Sequence, residues 1–127
     1  MSKNLTTCAF TTTANFIGGK YKLKILYVLM GKTRRFGDLQ EKLSNVSAKV
    51  LSQKLKELEE DGFISKTIYP VVPPKTDYNL TERGQSLAPV ILALYEWGTS
   101  YFKEIGQEER CDMTEVGRLS NIVEKIK

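Results

Sequence analysis

Apolar positions recur at helical spacing along most of this chain and give way to β-type stretches near its middle. A polar, Thr-rich arm leads to a short helix that ends in the segment Asn15 to Gly18 and is broken by the pair Gly18-Gly19. In KYKLKILYVLMG, Tyr21, Ile25, Val28 and Leu29 share one helical face, and Leu23, Leu26 and Met30 widen it. This predicts a central, mostly buried helix that stops at Gly31. The link TRRF, residues 33–36, has the composition for a brief strand, and FGDLQEKL renews the helical spacing through Phe36, Leu39 and Leu43. A four-residue turn, Ser44-Asn45-Val46-Ser47, leads into VSAKVLSQKLKELEEDGFI, where Leu51, Leu55 and Leu58 form one stripe. Ser47 is placed to cap the start of this helix, and Gly62 to end it in the left-handed conformation.

The pattern then changes. FISKTIYP is β-branched and aromatic and ends at Pro70, and KTDYNL is a second short strand candidate. Between them, VVPPK makes a stiff, extended tip. Two short helices on a tight turn, followed by a two-stranded hairpin, make a winged helix-turn-helix: a mainly α fold with a small β-hairpin wing, α+β in class. From Thr81 a long helical pattern keeps Leu87, Val90, Ile91, Leu94, Trp97 and Tyr101 in register, with Pro89 inside it expected to kink it. The charged tail from Gln107 offers one more amphipathic helix through Met113, Val116, Leu119, Ile122, Val123 and Ile126.

Totals narrow the function classes. A chain of 127 residues is one domain by length, and 41% hydrophobic with 27% charged residues is ordinary for a soluble globular protein. No apolar run approaches the ~20 residues that span a bilayer, and residues 1–15 lack the apolar centre of a signal peptide, which points to the cytoplasm and away from membranes. Cys8 and Cys111 lie far apart and make no metal-ligand or disulfide spacing. There is no histidine, which removes the commonest general base and metal ligand. The expectation is therefore a protein that is not an enzyme and carries no metal or cofactor. Charge is placed unevenly. Residues 20–75 hold 12 Lys and Arg against 6 Asp and Glu, and the remainder holds 7 against 9. A basic region on a balanced chain is the footprint of a polyanion binder.

In a winged helix the second helix of the pair enters the major groove of double-stranded DNA, where base edges are distinguishable. Opposite the Leu51 stripe lie Lys49, Gln53 and Lys56. Gln53 suits bidentate pairing with adenine, and Lys49 and Lys56 suit guanine or phosphate; Ser47 and Ser52 reach toward the backbone. The bland alternative is a solvated amphipathic face. Glu57, Glu59, Glu60 and Asp61 make the helix's end acidic, so its N-terminal half is the half expected to meet phosphate. Arg34 and Arg35, with Lys32 beside them, are candidate phosphate clamps, and Lys66 and Lys75 flank the wing, whose Pro73 and Pro74 stiffen the tip. A nucleic-acid enzyme would need a carboxylate cluster for metal, and the acidic residues here make none.

Several blocks together, GGKYKLKIL, RRFGDLQEKL, VSAKVLSQKLKELEEDGFI, PVVPPKTDYNLTERGQSL and ALYEWG, resemble the HxlR-type transcriptional regulators, relatives of the MarR group. The resemblance runs from about Cys8 to Tyr101. Tyr21 stands where that family commonly has Trp, and Ala9 follows Cys8 where Pro is frequent. The resemblance implies a homodimeric DNA-binding regulator on a pseudo-palindromic operator, divided into an N-terminal arm and short helix that contact the dimer partner (1–19), a DNA-binding core (20–80) and C-terminal dimerisation helices (81–127). Leu87, Ile91, Leu94, Trp97 and Tyr101 would then serve the dimer, with residues 10–17 beside them; periodicity alone leaves open whether that face meets its own domain or a second subunit. It also implies a role for Cys8, since some members sense oxidants or electrophiles at an N-terminal cysteine. Lys3 and Lys20 would lower its pKa if the fold brings them close. The other reading of Cys8 is an inert, small hydrophobe. A winged helix used for protein–protein contact remains the competing functional class.

Overall fold

The computed structural model describes residues 8–44 and 46–108, in the order α1 (Ala9–Ile17), α2 (Lys22–Leu29), β1 (Arg34–Arg35), α3 (Phe36–Lys42), α4 (Ala48–Glu60), β2 (Ile64–Tyr69), β3 (Lys75–Leu80), α5 (Glu82–Gln85) and α6 (Ala88–Glu104). The fold is the winged helix-turn-helix that the spacing predicts, with a three-stranded antiparallel sheet in the order β1-β3-β2. TRRF does carry the brief strand, β1. Asn45 of the turn, Lys3, Cys111 and the amphipathic tail lie outside the described residues.

The core gathers the apolar stripes of these elements. Ile25, Leu26, Val28 and Leu29 of α2 are buried in its middle, against Leu39 and Leu43, Leu51, Leu55 and Leu58, and the sheet residues Ile64, Tyr78 and Leu80. The helix α1 is tied on by Phe16, whose ring meets Phe63 edge-on at 5.0 Å.

Register decides the two faces of the sheet. Ile64 pairs with Leu80, Lys66 with Tyr78 and Ile68 with Thr76, so these alternate residues share one face, which is buried at Ile64, Tyr78 and Leu80 and runs out into solvent at Lys66 and Ile68. Arg34 pairs with Tyr78 and Arg35 with Asp77, which sends the two neighbouring arginines to opposite faces.

Two expectations are corrected. Pro89 does not kink a long helix. The chain turns at Ser86 and Leu87, and α6 begins at Ala88 with the proline in its first turn, where its missing N–H has no intrahelical partner to lose. The long pattern from Thr81 is thereby two helices, the short α5 capped by the Thr81 hydroxyl and then α6. The second correction concerns the inner part of the C-terminal apolar pattern. Ile91 is buried in the protomer's own core and Leu87 packs against that core, because the start of α6 lies on α2. Ile91 is thereby committed to the protomer's own core, and Leu87 keeps only part of its surface open.

Candidate nucleic-acid interface

The geometry of α4 follows from its sequence. The Ser47 hydroxyl accepts the Val50 N–H at 3.1 Å, satisfying one of the open donors of the first turn. Upstream, the turn from α3 is pinned by buried Val46, whose N–H donates to Leu43 O at 3.2 Å and whose carbonyl accepts Gln40 Nε2 at 3.3 Å. Gly62 ends the helix at φ +84°. With Leu51, Leu55 and Leu58 holding the inner side, Lys49, Ser52, Gln53 and Lys56 are all exposed. Their spacing of three, four and seven residues puts them on one outward stripe. Among the described residues no carboxylate forms an ion pair with Lys49 or Lys56, so both ammonium groups face solvent uncommitted.

Two carboxylates of the acidic end of α4 are engaged by lysines, while Glu60 stays exposed. Glu57 Oε1 lies 3.1 Å from Lys22 Nζ and 3.6 Å from Lys54 Nζ. Partial burial pushes the Glu57 carboxyl up, but the Lys22 hydrogen bond and charge, with Lys54 behind them, outweigh it and hold the group below the usual carboxylate range. Glu59 lies 4.0 Å from Lys66 Nζ, a loose contact that keeps this wing lysine near the helix. Tyr78 is raised above the usual phenol value, chiefly by burial and then by the charge of Glu59.

The flanking cations separate into different roles. Arg34 is 3% exposed: its Nε donates to Val28 O at 3.2 Å and its Nη1 meets Asp38 Oδ2 at 2.9 Å. This corrects its assignment as a phosphate clamp, because a guanidinium sunk on the inner face and already bonded cannot reach a phosphate. Arg35 stands on the outer face, with its Nε 3.2 Å from Asp77 Oδ1 and about half its side chain open to solvent. The shallow concavity beside them is bordered by the carboxylates Asp38, Glu41 and Asp77, which does not suit an anion. Lys32, Lys66 and Lys75 are exposed, Lys75 at the base of the wing tip.

Beyond Leu92 no residue of α6 is buried. Leu94, Trp97 and Tyr101 are exposed there, with Val90 before and Ile105 after them on the same stripe, and Trp97 stacks on Tyr101 at 5.7 Å. Phe10 of α1 is 88% exposed. Cys8 is also exposed and occupies the N-cap of α1. The Thr11 backbone N–H, then the Thr11 hydroxyl and the Phe10 N–H, draw its thiol below the ordinary value, although the sulfur closes no regular capping hydrogen bond. Lys20, whose ammonium lies 5.4 Å from the Tyr21 ring, is not the source of that shift. The sequence reading passed over Lys22, which is 9% exposed. Its signal was present: Lys22 stands three and seven residues before Ile25 and Leu29, on the buried side of α2.

Comparison with known proteins agrees with this geometry. The model of the HxlR-like helix-turn-helix family matches residues 16–106. The chain is 38% identical over 113 residues to YkvN of Bacillus subtilis (strain 168), described as an uncharacterized HTH-type transcriptional regulator, covering 89% of this chain and 96% of that one. Among solved structures, the redox regulator HypR in its reduced form aligns with a TM-score of 0.73 at 34% identity, covering 77% of this chain and 96% of HypR. The reduced form of the transcriptional regulator YodB from B. subtilis aligns with a TM-score of 0.65 at 30% identity, covering 76% and 95%. With the helix pair, the wing and the family match in one continuous stretch, this chain belongs to the HxlR-type winged helix-turn-helix transcriptional regulators.

Proposed function

We propose that the chain is a sequence-specific DNA-binding regulator that works as a homodimer on a pseudo-palindromic operator, with α4 as the helix that enters the major groove. The observation that carries this reading is the exposed stripe Lys49, Ser52, Gln53 and Lys56, free of carboxylate partners among the described residues and backed by a fully buried leucine side. Gln53 is the base-reading residue, Lys49 and Lys56 contact guanine or phosphate, and Ser47 and Ser52 approach the backbone. Arg35, Lys66 and Lys75 supply phosphate contacts beside the helix. Support for the dimer comes from the apolar stripe Leu94, Trp97 and Tyr101 on the second half of α6, a large aromatic surface left uncovered among the described residues. Support for a redox or electrophile response comes from Cys8, exposed and with a lowered pKa, and from the likeness to the redox regulator HypR.

The test is a binding titration of the wild type and of a Lys49→Ala/Gln53→Ala variant on the chain's own upstream DNA and on unrelated DNA, across a salt series. Tight binding to the upstream DNA that the variant loses is the expected result, with steep salt dependence for both duplexes. Equal, weak binding to both DNAs, unchanged in the variant, would leave the stripe a solvated or protein-facing surface.

A further inference from the structure

The C-terminal end of α4 is held from outside the helix. The carbonyls of Glu57, Leu58 and Glu59 are met by the N–H groups of Asp61, Phe63 and Gly62 in the helix's own closing turn, and the corner between β3 and α5 supplies donors to the carbonyls that follow, from the C-cap Asp61 onward. Arg83 Nη1 donates to Asp61 O at 2.7 Å, and Thr81 Oγ1 donates to Gly62 O at 2.6 Å. Thr81 N–H adds a bond to Phe63 O at 3.0 Å. The same Thr81 oxygen accepts the Gly84 N–H at 3.1 Å, so one hydroxyl joins the end of α4 to the start of α5. The backbone of Gly84 lies tight against Phe63. Any Cβ on Gly84 would collide with the Phe63 carbonyl oxygen, and one on Gly62 would lie 2.7 Å from Arg83 Nη1. Arg83 also sits at the negative end of the α4 dipole, where a cation is favoured.

We propose that Thr81 and Arg83 are positioning residues for DNA recognition: they clamp the C-terminal end of α4 and so set the angle at which Lys49, Ser52 and Gln53 are presented. The proposal rests on the reading of α4 as the DNA-contacting helix. Asp61 and Lys49 are separated by ~18 Å along the helix axis, at 1.5 Å per residue. A tilt of about 5° at the clamped end therefore moves Lys49 by ~1.5 Å, against a spread of ~0.5 Å in good hydrogen-bond lengths. Loss of the clamp thus costs recognition of bases before it costs the nonspecific attraction to phosphate, which tolerates displacement. Since β3 and α5 run directly into α6, the clamp also ties the reading helix to the helix that carries the exposed aromatic stripe.

Arg83→Met, Thr81→Ala and Thr81→Ser in the full chain provide the test, with affinity measured by fluorescence anisotropy on the upstream duplex and on an unrelated duplex at one salt concentration. Amide hydrogen exchange over residues 59–63 is followed in parallel. Arg83 is exposed, so its replacement is expected to leave the thermal midpoint nearly in place. The preference of Arg83→Met for the upstream duplex is expected to fall about tenfold, at the lower end of what one misplaced bidentate base contact costs, while unrelated DNA is bound as before and residues 59–63 exchange faster. Thr81→Ala loses both preference and stability, and Thr81→Ser restores both. A selective wild type with an equally selective Arg83→Met overturns the clamp alone, as does unchanged exchange at residues 59–63. A wild type that shows no preference overturns the regulator reading and this proposal together.

Discussion

Replacement of Glu57 by Gln tests how α4 is seated on α2. In the folded chain Lys22 Nζ is 3.1 Å from Glu57 Oε1, with side-chain exposures of 11% for Lys22 and 34% for Glu57. Glu57→Gln leaves a nearly buried ammonium facing a neutral amide. Removing one partner of a fully buried pair costs about 3–5 kcal/mol, and a single charge-assisted hydrogen bond about 1.5–3 kcal/mol. Since a third of Glu57 is open to solvent, screening brings the expected loss to about 1.5–2.5 kcal/mol. The reverse change is milder. Lys22→Met removes the buried charge, keeps the aliphatic stem, and leaves Glu57 beside Lys54 at 3.6 Å, so about 0–1 kcal/mol is expected. The double variant should resemble Lys22→Met, so the coupling energy equals the Glu57→Gln loss in magnitude, about 1.5–2.5 kcal/mol. Urea unfolding at one protein concentration measures all four proteins. The sign of the pH dependence follows from the lowered Glu57 pKa. The stabilisation is complete above the unfolded Glu value, about 4.3, and is lost as pH falls through the lower folded value. The gap between wild type and Glu57→Gln is therefore flat from about pH 5 to 8 and closes in acid. Lys22→Met costing as much as Glu57→Gln, or a gap that persists in strong acid, would refute the reasoning.

Other residues give separable outcomes. Arg34→Met should destabilise by about 2–4 kcal/mol, since the Val28 carbonyl and Asp38 both lose their partner, yet leave the DNA affinity of the folded fraction unchanged in a titration. Arg35→Ala should change stability by less than about 0.5 kcal/mol and lower the slope of log affinity against log salt by about one. Trp97→Ser with Tyr101→Ser should convert the proposed dimer to monomer in sedimentation at micromolar concentration, as loss of an aromatic anchor costs about 2 kcal/mol or more; an unchanged sedimentation coefficient would place the interface elsewhere. Alkylation of Cys8 should titrate below the ~8.5 of an ordinary thiol, and Thr11→Ala should move the midpoint part of the way back, since only the hydroxyl's share is deleted.

Much of this protein is written in short-range order. The stripe Leu51, Leu55 and Leu58, the Ser47 cap and the Gly62 stop are all legible because helix periodicity and capping involve residues within four positions of one another. The outward position of Lys49, Gln53 and Lys56 follows from the same geometry, as do the two strands around the VVPP tip. What the tertiary structure decided are choices between neighbours that local pattern treats alike. Arg34 and Arg35 have the same chemistry, and only the pairing of β1 with Tyr78 and Asp77 buries one and exposes the other. Spacing places Lys22 on the apolar side of α2, but only the packing of α4 shows which carboxylate, Glu57, meets it there. Pro89 inside a helical pattern suggests a kink, but the turn at Ser86 and Leu87 makes it a helix start. The apolar residues of α6 form one continuous pattern along the chain, and it is the reach of α2 that covers Ile91 and stops short of Leu94 and Trp97. Each of these depends on groups far apart in sequence, whose meeting is set by packing and register rather than by any local preference.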